Sequence, residues 1–521
     1  MRRSSAILST VLVAVACGGT PGPATPENTL VVDTDRGPVM GADHGAYLSY
    51  QGIPYAAPPT GERRWAPPQA PPSWTETRDA TKPGAQCAQA RLDGSPGVQG
   101  SEDCLYLNVT RPAKGRKARP VMVWLHGGGF TNGSGNDYDG SRIAVRGDVV
   151  VVTVNYRLGV FGFLGLPEFG GKGNFGFADQ VAALRWVRTN AAAFGGDPRN
   201  VTVFGESAGA MSICSHLTSP DAEGLFDRAV IQSGSCMTAY PKNGISPGVP
   251  AYRPWWPKDQ VAAMGTATAT ELGCAGAGGA LECLRGRPVE QLATSEVMAR
   301  ASFPAFGVDR LPEDPALALR AGRFHRVPVL QGSNHDEMRF YVGPALAGGL
   351  VIDQAGYDEL LADSFGADAD AVRAAYPAAA YPSPALAWAT VLTDAGWSCT
   401  TLEADRALAA GTTIYGYEFT DPDAPNFQNI PTVEGFPFGA AHGTELSYLF
   451  PFPGVRFTAE QQQLSEAMID AWARFARSGE PGWPELTIDE PYVRSLVPGA
   501  VGRVDLATEH KCDVWDAVSR S

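Results

Sequence analysis

The chain has 521 residues, 44% of them hydrophobic and 18% charged, and glycine and proline together make up 102 residues. That share, just under 20%, lies below the roughly 25–30% that marks low-complexity chains, so disorder as the dominant state is excluded. The formal net charge of −14 disfavours sequence-independent binding to a phosphate backbone, and we expect no nucleic-acid partner.

The first residues have the pattern of an export signal. After the basic start Met1-Arg-Arg, the apolar run 6–16 is too short to span a bilayer as a mature helix. The small residues before Cys17 resemble a bacterial lipobox, in which the cysteine becomes the lipidated N-terminus, and ordinary cleavage after Ala16 is the alternative. We expect a signal over 1–17, a flexible tether over 18–29 and one folded domain over 30–521. The protein is then a cell-surface or periplasmic lipoprotein that touches the membrane only through Cys17, or is otherwise secreted.

Further along the chain, apolar runs without alternation are separated by patterns of helical spacing. This order predicts an α/β fold with a large, mostly parallel central sheet and helices on both faces. The Pro-rich segment before Ser101 is predicted to form an antiparallel edge, and 240–320 and 345–410 to form helical insertions around a site. The predicted strands are 121–125, 148–156, 200–204, 229–232 and 327–331, and the predicted helices are 178–194, 210–218 and 461–477.

The segment 205–209, Gly-Glu-Ser-Ala-Gly, matches the pattern G-x-S-x-G between a predicted strand and a predicted helix. In that context a strained turn lifts the serine hydroxyl clear of the backbone, and the flanking glycines allow the turn without side-chain clashes. We therefore predict that Ser207 is a catalytic nucleophile.

A serine nucleophile needs a base, and the chain has seven histidines. The chain order of such sites is serine, acid, histidine. His44, His126 and His216 are out of order or belong to other elements, and His325 and His335 flank the strand expected to present the acid, which leaves His442 and His510. His510 lies in a polar Glu-His-Lys run that is typical of an exposed surface, whereas His442 lies in a loop of small residues, and we predict His442. The acid should follow a strand between serine and histidine, where Asp336 and Glu337 both qualify.

A run of three glycines, His-Gly-Gly-Gly at 126–129, follows the predicted strand 121–125. Glycines let backbone N–H groups approach a developing oxyanion, so we predict that Gly128, Gly129 and the N–H of Ala208 bind it. A phosphate-binding loop is the alternative, but neither G-x-x-x-x-G-K nor a helix-opening G-x-G-x-x-G is present. No His, Cys and carboxylate cluster has metal-ligand spacing, so we expect no metal and no cofactor.

Together these motifs resemble those of type-B carboxylesterases, the cholinesterase and carboxylesterase branch of the α/β-hydrolase fold. The resemblance runs in order over nearly all of the chain beyond the signal. Its stretches are 50–55, 101–108, 124–130, 155–157, 161–164, 205–209, 232–235, 332–337, 441–443 and 483–484. It implies a serine carboxylesterase that hydrolyses small-molecule esters of short to medium acyl chains through an acyl-enzyme. The alternatives are a lipase acting on longer-chain glycerides and a non-catalytic adhesion or binding member of the fold.

The resemblance also implies roles for single residues. The family uses glutamate as the triad acid, which selects Glu337 over Asp336. Behind these residues, Ser233 is expected to support the acid and Glu206 to assist beside the nucleophile. Two structural ion pairs are implied, Arg64–Glu102 and Arg157–Asp179.

The lack of an aromatic residue in one loop indicates a substrate preference. Cholinesterases carry a tryptophan for the quaternary ammonium group between their first two disulfide cysteines, whereas 88–103 here contains no aromatic residue. We therefore expect no cation–π site for choline esters. Aromatic residues that are possible pocket walls are Phe130, Phe303, Phe306, Trp397, Phe436 and Phe438.

The nine cysteines are an odd number for an exported protein. With Cys17 as lipid acceptor, eight remain, enough for four disulfides. The resemblance implies the pairs Cys87–Cys104, Cys274–Cys283 and Cys399–Cys512. Cys214 and Cys236 are left. Both are predicted near the carboxyl edge of the sheet, so we predict a disulfide between them, with two buried free thiols as the alternative.

Overall fold

The computed structural model describes residue 1 and residues 30–518, except for 92–94, 96, 115–117 and 276–278. The predicted signal, the tether over 18–29 and the lipidation site Cys17 lie outside the described residues. Among the helices that are described, none is both long and apolar enough to cross a membrane.

Eleven strands form one mixed sheet, and we number them in chain order. They are β1 Ala42–Asp43, β2 Tyr47–Pro54, β3 Tyr106–Pro112, β4 Arg119–Leu125, β5 Val150–Val154, β6 Gly196–Glu206, β7 Arg228–Gln232, β8 Val329–Asn334, β9 Ile414–Phe419, β10 Val493–Leu496 and β11 Gly502–Val504. Their spatial order is β11-β10-β9-β8-β7-β6-β4-β5-β3-β2-β1. The pairs from β5 through β4 and β6 to β10 are parallel, whereas β1 to β3 and β11 add antiparallel edges. The predicted parallel centre and antiparallel edge are confirmed.

The central strands are apolar throughout because both faces of the sheet are covered. Along β4, Val121 and Val123 belong to one buried cluster, while Met122 and Trp124 belong to the other. This alternation follows from the pleat, which points successive side chains to opposite faces. The helix Ala459–Ser478 packs on the Trp124 face, and burial of each large apolar side chain contributes about 1.5–3 kcal/mol.

Eighteen α-helices are described, and those in the predicted insertions are mostly short. They are Ser141–Gly147, Gly159–Phe163, Phe175–Asn190, Ala208–Leu217, Lys258–Glu271, Ala280–Arg285, Val289–Leu292, Ser295–Arg300, Pro315–Arg320, Arg339–Ala347, Gln354–Phe365, Ala369–Ala375, Pro384–Thr393, Cys399–Ala409, Leu446–Leu449, Ala459–Ser478, Leu506–Glu509 and Cys512–Ala517. One feature of the first insertion was not predicted, a short parallel pair of Trp256–Pro257 with Ala305–Phe306.

Small ladders lie outside the large sheet. Val31–Asp33, Pro38–Met40 and Arg78–Asp79 form one, and Gln89–Ala90 pairs with Val98–Gln99. In the sequence this region before Ser101 was marked only by short strand signals.

Covalent and ionic links fasten the segments that surround the sheet. Four cysteine pairs are joined, with Cα–Cα distances of 4.8, 5.4, 5.5 and 5.3 Å, for Cys87–Cys104, Cys214–Cys236, Cys274–Cys283 and Cys399–Cys512. Two buried ion pairs add polar links. Arg64 Nε lies 2.6 Å from Glu102 Oε1, and Arg157 Nη2 lies 2.7 Å from Asp179 Oδ1. Four disulfides are typical of proteins that fold in an oxidising compartment.

Candidate active site

Ser207 stands on a strained turn between β6 and the helix Ala208–Leu217. Its backbone has φ 55° and ψ −123°, a region that L-residues rarely adopt and that is found mainly at functional sites. The Ser207 N–H donates to the carbonyl of Gln232 at 3.0 Å, which fixes the turn against β7. Two residues after Ser207, close packing requires a glycine, because a Cβ on Gly209 would lie 1.9 Å from the carbonyl oxygen of Leu125.

His442 is joined to Glu337 rather than to Asp336. The His442 Nδ1 lies 2.6 Å from Glu337 Oε2, and the other carboxylate oxygen accepts the N–H of Asn334 at 2.8 Å. Asp336 faces the other way, with its carboxylate 2.7 Å from Arg339 Nη2 and accepting the N–H of Ala440 at 3.0 Å. Of the two acids that qualified from the sequence, Glu337 is therefore the one that orients the imidazole.

The second ring nitrogen of His442 lies close to Glu206. His442 Nε2 makes no hydrogen bond with the described residues, although Glu206 Oε1 lies 3.1 Å away. Since Glu206 directly precedes Ser207, this nitrogen lies near the segment that carries the serine. No hydrogen bond joins Ser207 to His442 in the part of the chain described.

The glycine run lies beside Ser207. A Cβ on Gly127 would meet Glu206 Oε2 at 2.6 Å and Ser207 Cβ at 3.0 Å. Gly128 and Gly129 have φ of +96° and +59°, and the Gly128 carbonyl accepts the N–H groups of Thr131 and Asn132. The N–H groups of Gly128, Gly129 and Ala208 donate to none of the described acceptors. Three N–H donors near the serine are thus available to an anionic oxygen.

Three buried glutamates surround His442, and one of them was missed from the sequence. Glu445 lies one turn beyond His442 and accepts hydrogen bonds from Asn334 Nδ2 at 2.7 Å and Gln232 Nε2 at 3.2 Å. Burial raises the pKa of Glu445 to about 7 and that of Glu206 to about 8. The spacing of Glu445 three residues after His442 was the only sequence signal that could have found it.

The charge of His442 is set by opposing effects. Burial alone would lower its pKa, but the neighbouring carboxylates of Glu206 and Glu337 outweigh burial and raise the pKa to about 9. The surroundings of His442 therefore favour its protonated, charged form.

Ser233 does not make the expected contact with the acid. It is fully buried, and its N–H donates to Gly332 at 2.8 Å, but its Oγ has no hydrogen-bond partner among the described residues. The backbone N–H of Asn334 supports Glu337 instead. The sequence missed this residue because a backbone donor leaves no side-chain signal.

Aromatic rings line the imidazole. Trp397 lies 4.8 Å from the His442 ring, and Phe340 and Tyr341, which were not among the expected wall residues, lie at 5.7 and 5.9 Å. Phe130 packs on Phe163 at 4.9 Å within the core.

The expectation that His510 is exposed is wrong. His510 is 2% exposed, with Nδ1 2.6 Å from Asp394 Oδ1 and Nε2 against Glu418. Its polar neighbours in sequence gave no sign of these partners, which come from distant segments.

Comparisons with known proteins agree with this geometry. The model of the carboxylesterase family matches residues 28–495. Para-nitrobenzyl esterase of Bacillus subtilis (strain 168) is 34% identical, over 87% of this chain and 92% of that protein. Cocaine esterase of Homo sapiens is 33% identical, over 92% of this chain and 88% of that protein.

A solved structure gives the same result for the fold. A PNB esterase superposes with a TM-score of 0.75 at 32% identity, covering 93% of this chain and 99% of that one. The chain thus belongs to the carboxylesterase family, and it is a serine carboxylesterase of the α/β-hydrolase fold that acts on small-molecule esters.

Proposed function

We propose that ester hydrolysis here runs through an acyl-enzyme on Ser207, with His442 as base and Glu337 as the acid of the triad. The observation that carries this proposal is the 2.6 Å contact of His442 Nδ1 with Glu337 beside a serine held at φ 55°. In the first step Ser207 Oγ attacks the ester carbonyl carbon and its proton passes to His442 Nε2. Glu337 holds the ring so that Nε2 faces the serine and stabilises its positive charge.

The tetrahedral intermediate carries its negative charge on the former carbonyl oxygen. We assign its stabilisation to the N–H groups of Gly128, Gly129 and Ala208. Loss of one such donor costs roughly 10²–10³ in kcat in a serine protease. Collapse breaks the ester C–O bond, and the leaving alcohol takes the proton from His442.

Water completes the cycle. His442, neutral again, removes a proton from a water molecule that attacks the acyl carbon, and the second intermediate releases the carboxylic acid and Ser207. Glu206 assists by its charge on His442 Nε2 rather than by contact with the ester, which is the role we assign to it.

The substrates are proposed to be uncharged esters with short to medium acyl chains. Trp397, Phe340 and Tyr341 give the site an apolar aromatic wall. The names of relatives fit an aromatic wall rather than a particular charge or chain length, since para-nitrobenzyl esters and cocaine both carry aromatic groups. A lipase for long-chain glycerides is the second candidate among enzymes.

We further propose export of the chain and lipidation of Cys17. The basic start, the apolar run and the small residues before Cys17 support this proposal. Mass analysis of the mature N-terminus from cells tests it. A diacylated cysteine at position 17 is expected, and an unmodified N-terminus at Cys17 would contradict lipidation.

The hydrolysis itself is tested with a chain-length series of p-nitrophenyl esters, with and without emulsification, on the wild type and Ser207→Ala. We expect highest turnover on monomeric short to medium esters and loss of all but a residual rate in the variant. A sharp rise in rate on emulsified long-chain substrate would favour the lipase, and unchanged hydrolysis by Ser207→Ala would refute the acyl-enzyme.

A further inference from the structure

Three side chains with metal-binding chemistry meet outside the site around His442, and a fourth lies beside one of them. His335 follows β8, Glu418 lies in β9, and Glu509 and His510 lie near the C-terminus. One nitrogen or oxygen atom each of His335, Glu418 and His510 lie within 4.8 Å of one another. Glu509 contacts this group through His335, with Oε1 3.4 Å from His335 Nε2. Their separation in sequence explains why no ligand spacing was visible there.

Each imidazole has a carboxylate partner at its Nδ1 atom. His510 Nδ1 lies 2.6 Å from Asp394, and His335 Nδ1 lies 3.1 Å from Asp336. The Nε2 atoms consequently face Glu418 and Glu509. A histidine that binds a metal through one ring nitrogen and is held by a carboxylate through the other is the usual arrangement in metal sites.

We propose that His335, Glu418, Glu509 and His510 bind one divalent transition-metal ion, of which Zn²⁺ fits best. Two imidazole nitrogens and two carboxylate oxygens are ligands that Zn²⁺ accepts in four-coordinate sites. Mg²⁺ and Ca²⁺ prefer sites made of oxygen alone, which this set is not.

The exposure of the four side chains allows a metal ion to enter and the ligands to close around it. The side chains of Glu418 and His510 are 1% and 3% exposed, whereas those of His335 and Glu509 are 30% and 53% exposed. An ion can therefore reach the two buried ligands from solvent by way of the two exposed ones. Tetrahedral binding at about 2.0–2.2 Å brings ligand atoms to roughly 3.5 Å from one another. The exposed His335 and Glu509 side chains can make that movement.

Such an ion acts on the fold and touches no substrate. It would link β9 and the C-terminal segment to the loop that carries Glu337, two residues after His335. The disulfide Cys399–Cys512 already joins this C-terminal segment to the helix Cys399–Ala409. Metal binding to the folded chain alone therefore raises its stability.

The test is equilibrium dialysis of the chelator-treated full chain against micromolar ZnCl₂, followed by metal analysis. We expect one zinc per chain in the wild type. The same is expected in His442→Ala, which removes the other cluster of histidine and carboxylates, and in the control His44→Gln, an exposed histidine outside both clusters. In the double variant His335→Gln/Glu509→Gln, which alters only the exposed ligands, we expect affinity to fall at least about tenfold.

Two further readouts separate a metal site from a structural ion-pair network. Zinc should raise the melting temperature of the wild type by a few degrees and that of the double variant much less, and Co²⁺ should give tetrahedral visible absorption only in the wild type. Absence of stoichiometric zinc in the wild type, or equal zinc affinity in the double variant, would overturn the proposal.

Discussion

Two buried histidines of this chain, His442 and His510, have similar partners at one ring nitrogen and different surroundings at the other. At Nδ1, each contacts a carboxylate. His442 Nδ1 lies 2.6 Å from Glu337, and His510 Nδ1 lies 2.6 Å from Asp394. At Nε2 they differ, since His510 is held by Glu418 while His442 makes no hydrogen bond with the described residues. A carboxylate behind an imidazole therefore does not by itself make a base. In the mechanism we propose, the distinguishing feature of His442 is an Nε2 that makes no hydrogen bond with the described residues and lies beside Glu206, the neighbour of Ser207.

The largest expected effect is the difference in kcat between substitutions of Glu337 and Asp336, the two acids that follow β8. Glu337→Gln removes the carboxylate that orients and charges His442, and we expect kcat to fall by about 10³–10⁴. Asp336→Asn removes an ion pair with Arg339 outside the site, and kcat should fall far less. Steady-state kinetics on p-nitrophenyl butyrate measures both. A larger loss in Asp336→Asn would show that the wrong acid has been assigned.

His510 is expected to act on stability. His510→Gln leaves the buried carboxylates Asp394 and Glu418 without their cationic partner, and the free energy of unfolding should fall by about 3–5 kcal/mol. Denaturant unfolding, monitored by tryptophan fluorescence, measures the change. The rate of ester hydrolysis by the variant should fall in proportion to its folded fraction. If His510→Gln kept full stability but lost hydrolysis, His510 would have a catalytic role and would not differ from His442 in function.

The pH dependence sharpens the role of Glu206. In the proposed mechanism the neutral form of His442 is the base, so activity should rise with pH as this residue loses its proton. Glu206 and Glu337 raise the pKa of His442 to about 9, so the rise should extend into the alkaline range, above the 6.5 of an unperturbed histidine. Glu206→Gln removes one of these charges and should move the rise in kcat/KM to lower pH by about one unit. An unmoved profile would mean that Glu206 does not act on the His442 charge.

The smallest effect concerns the alcohol part of the substrate. Butyrylcholine and its uncharged isostere 3,3-dimethylbutyl butyrate should have similar kcat/KM, since 88–103 has no aromatic ring to hold a quaternary ammonium. A cation–π contact is worth about 0.5–2 kcal/mol, or roughly 2- to 30-fold. A preference for butyrylcholine in that range would reveal a cation site elsewhere.

The sheet could be predicted from the sequence because its signals are local. The predicted strand 121–125 lies within Arg119–Leu125, and the predicted helix 461–477 lies within Ala459–Ser478. The helix ends are also local, with a capping box at Thr458 and Gln461 and a left-handed Gly479. Boundaries were less accurate where turns continue a strand, as in β6, which begins at Gly196 rather than 200.

The parts of the site that escaped prediction depend on contacts between distant segments. Glu445 and Asn334 are hydrogen-bonded across 111 positions of the chain, and His510 reaches Glu418 across 92. No local pattern records such pairs. The choice between Asp336 and Glu337 was of the same kind, because neighbouring residues in a loop differ only in where their side chains point.

The central claim is that His442 activates Ser207, and covalent labelling tests it most directly. Diethyl p-nitrophenyl phosphate forms a stable phosphoryl ester with an activated serine, and intact-mass analysis with peptide mapping locates and times it. We predict one label per chain, on Ser207, with a labelling rate at least about 10³-fold lower in His442→Ala. A label on another residue, or wild-type labelling of Ser207 in His442→Ala, would contradict the account.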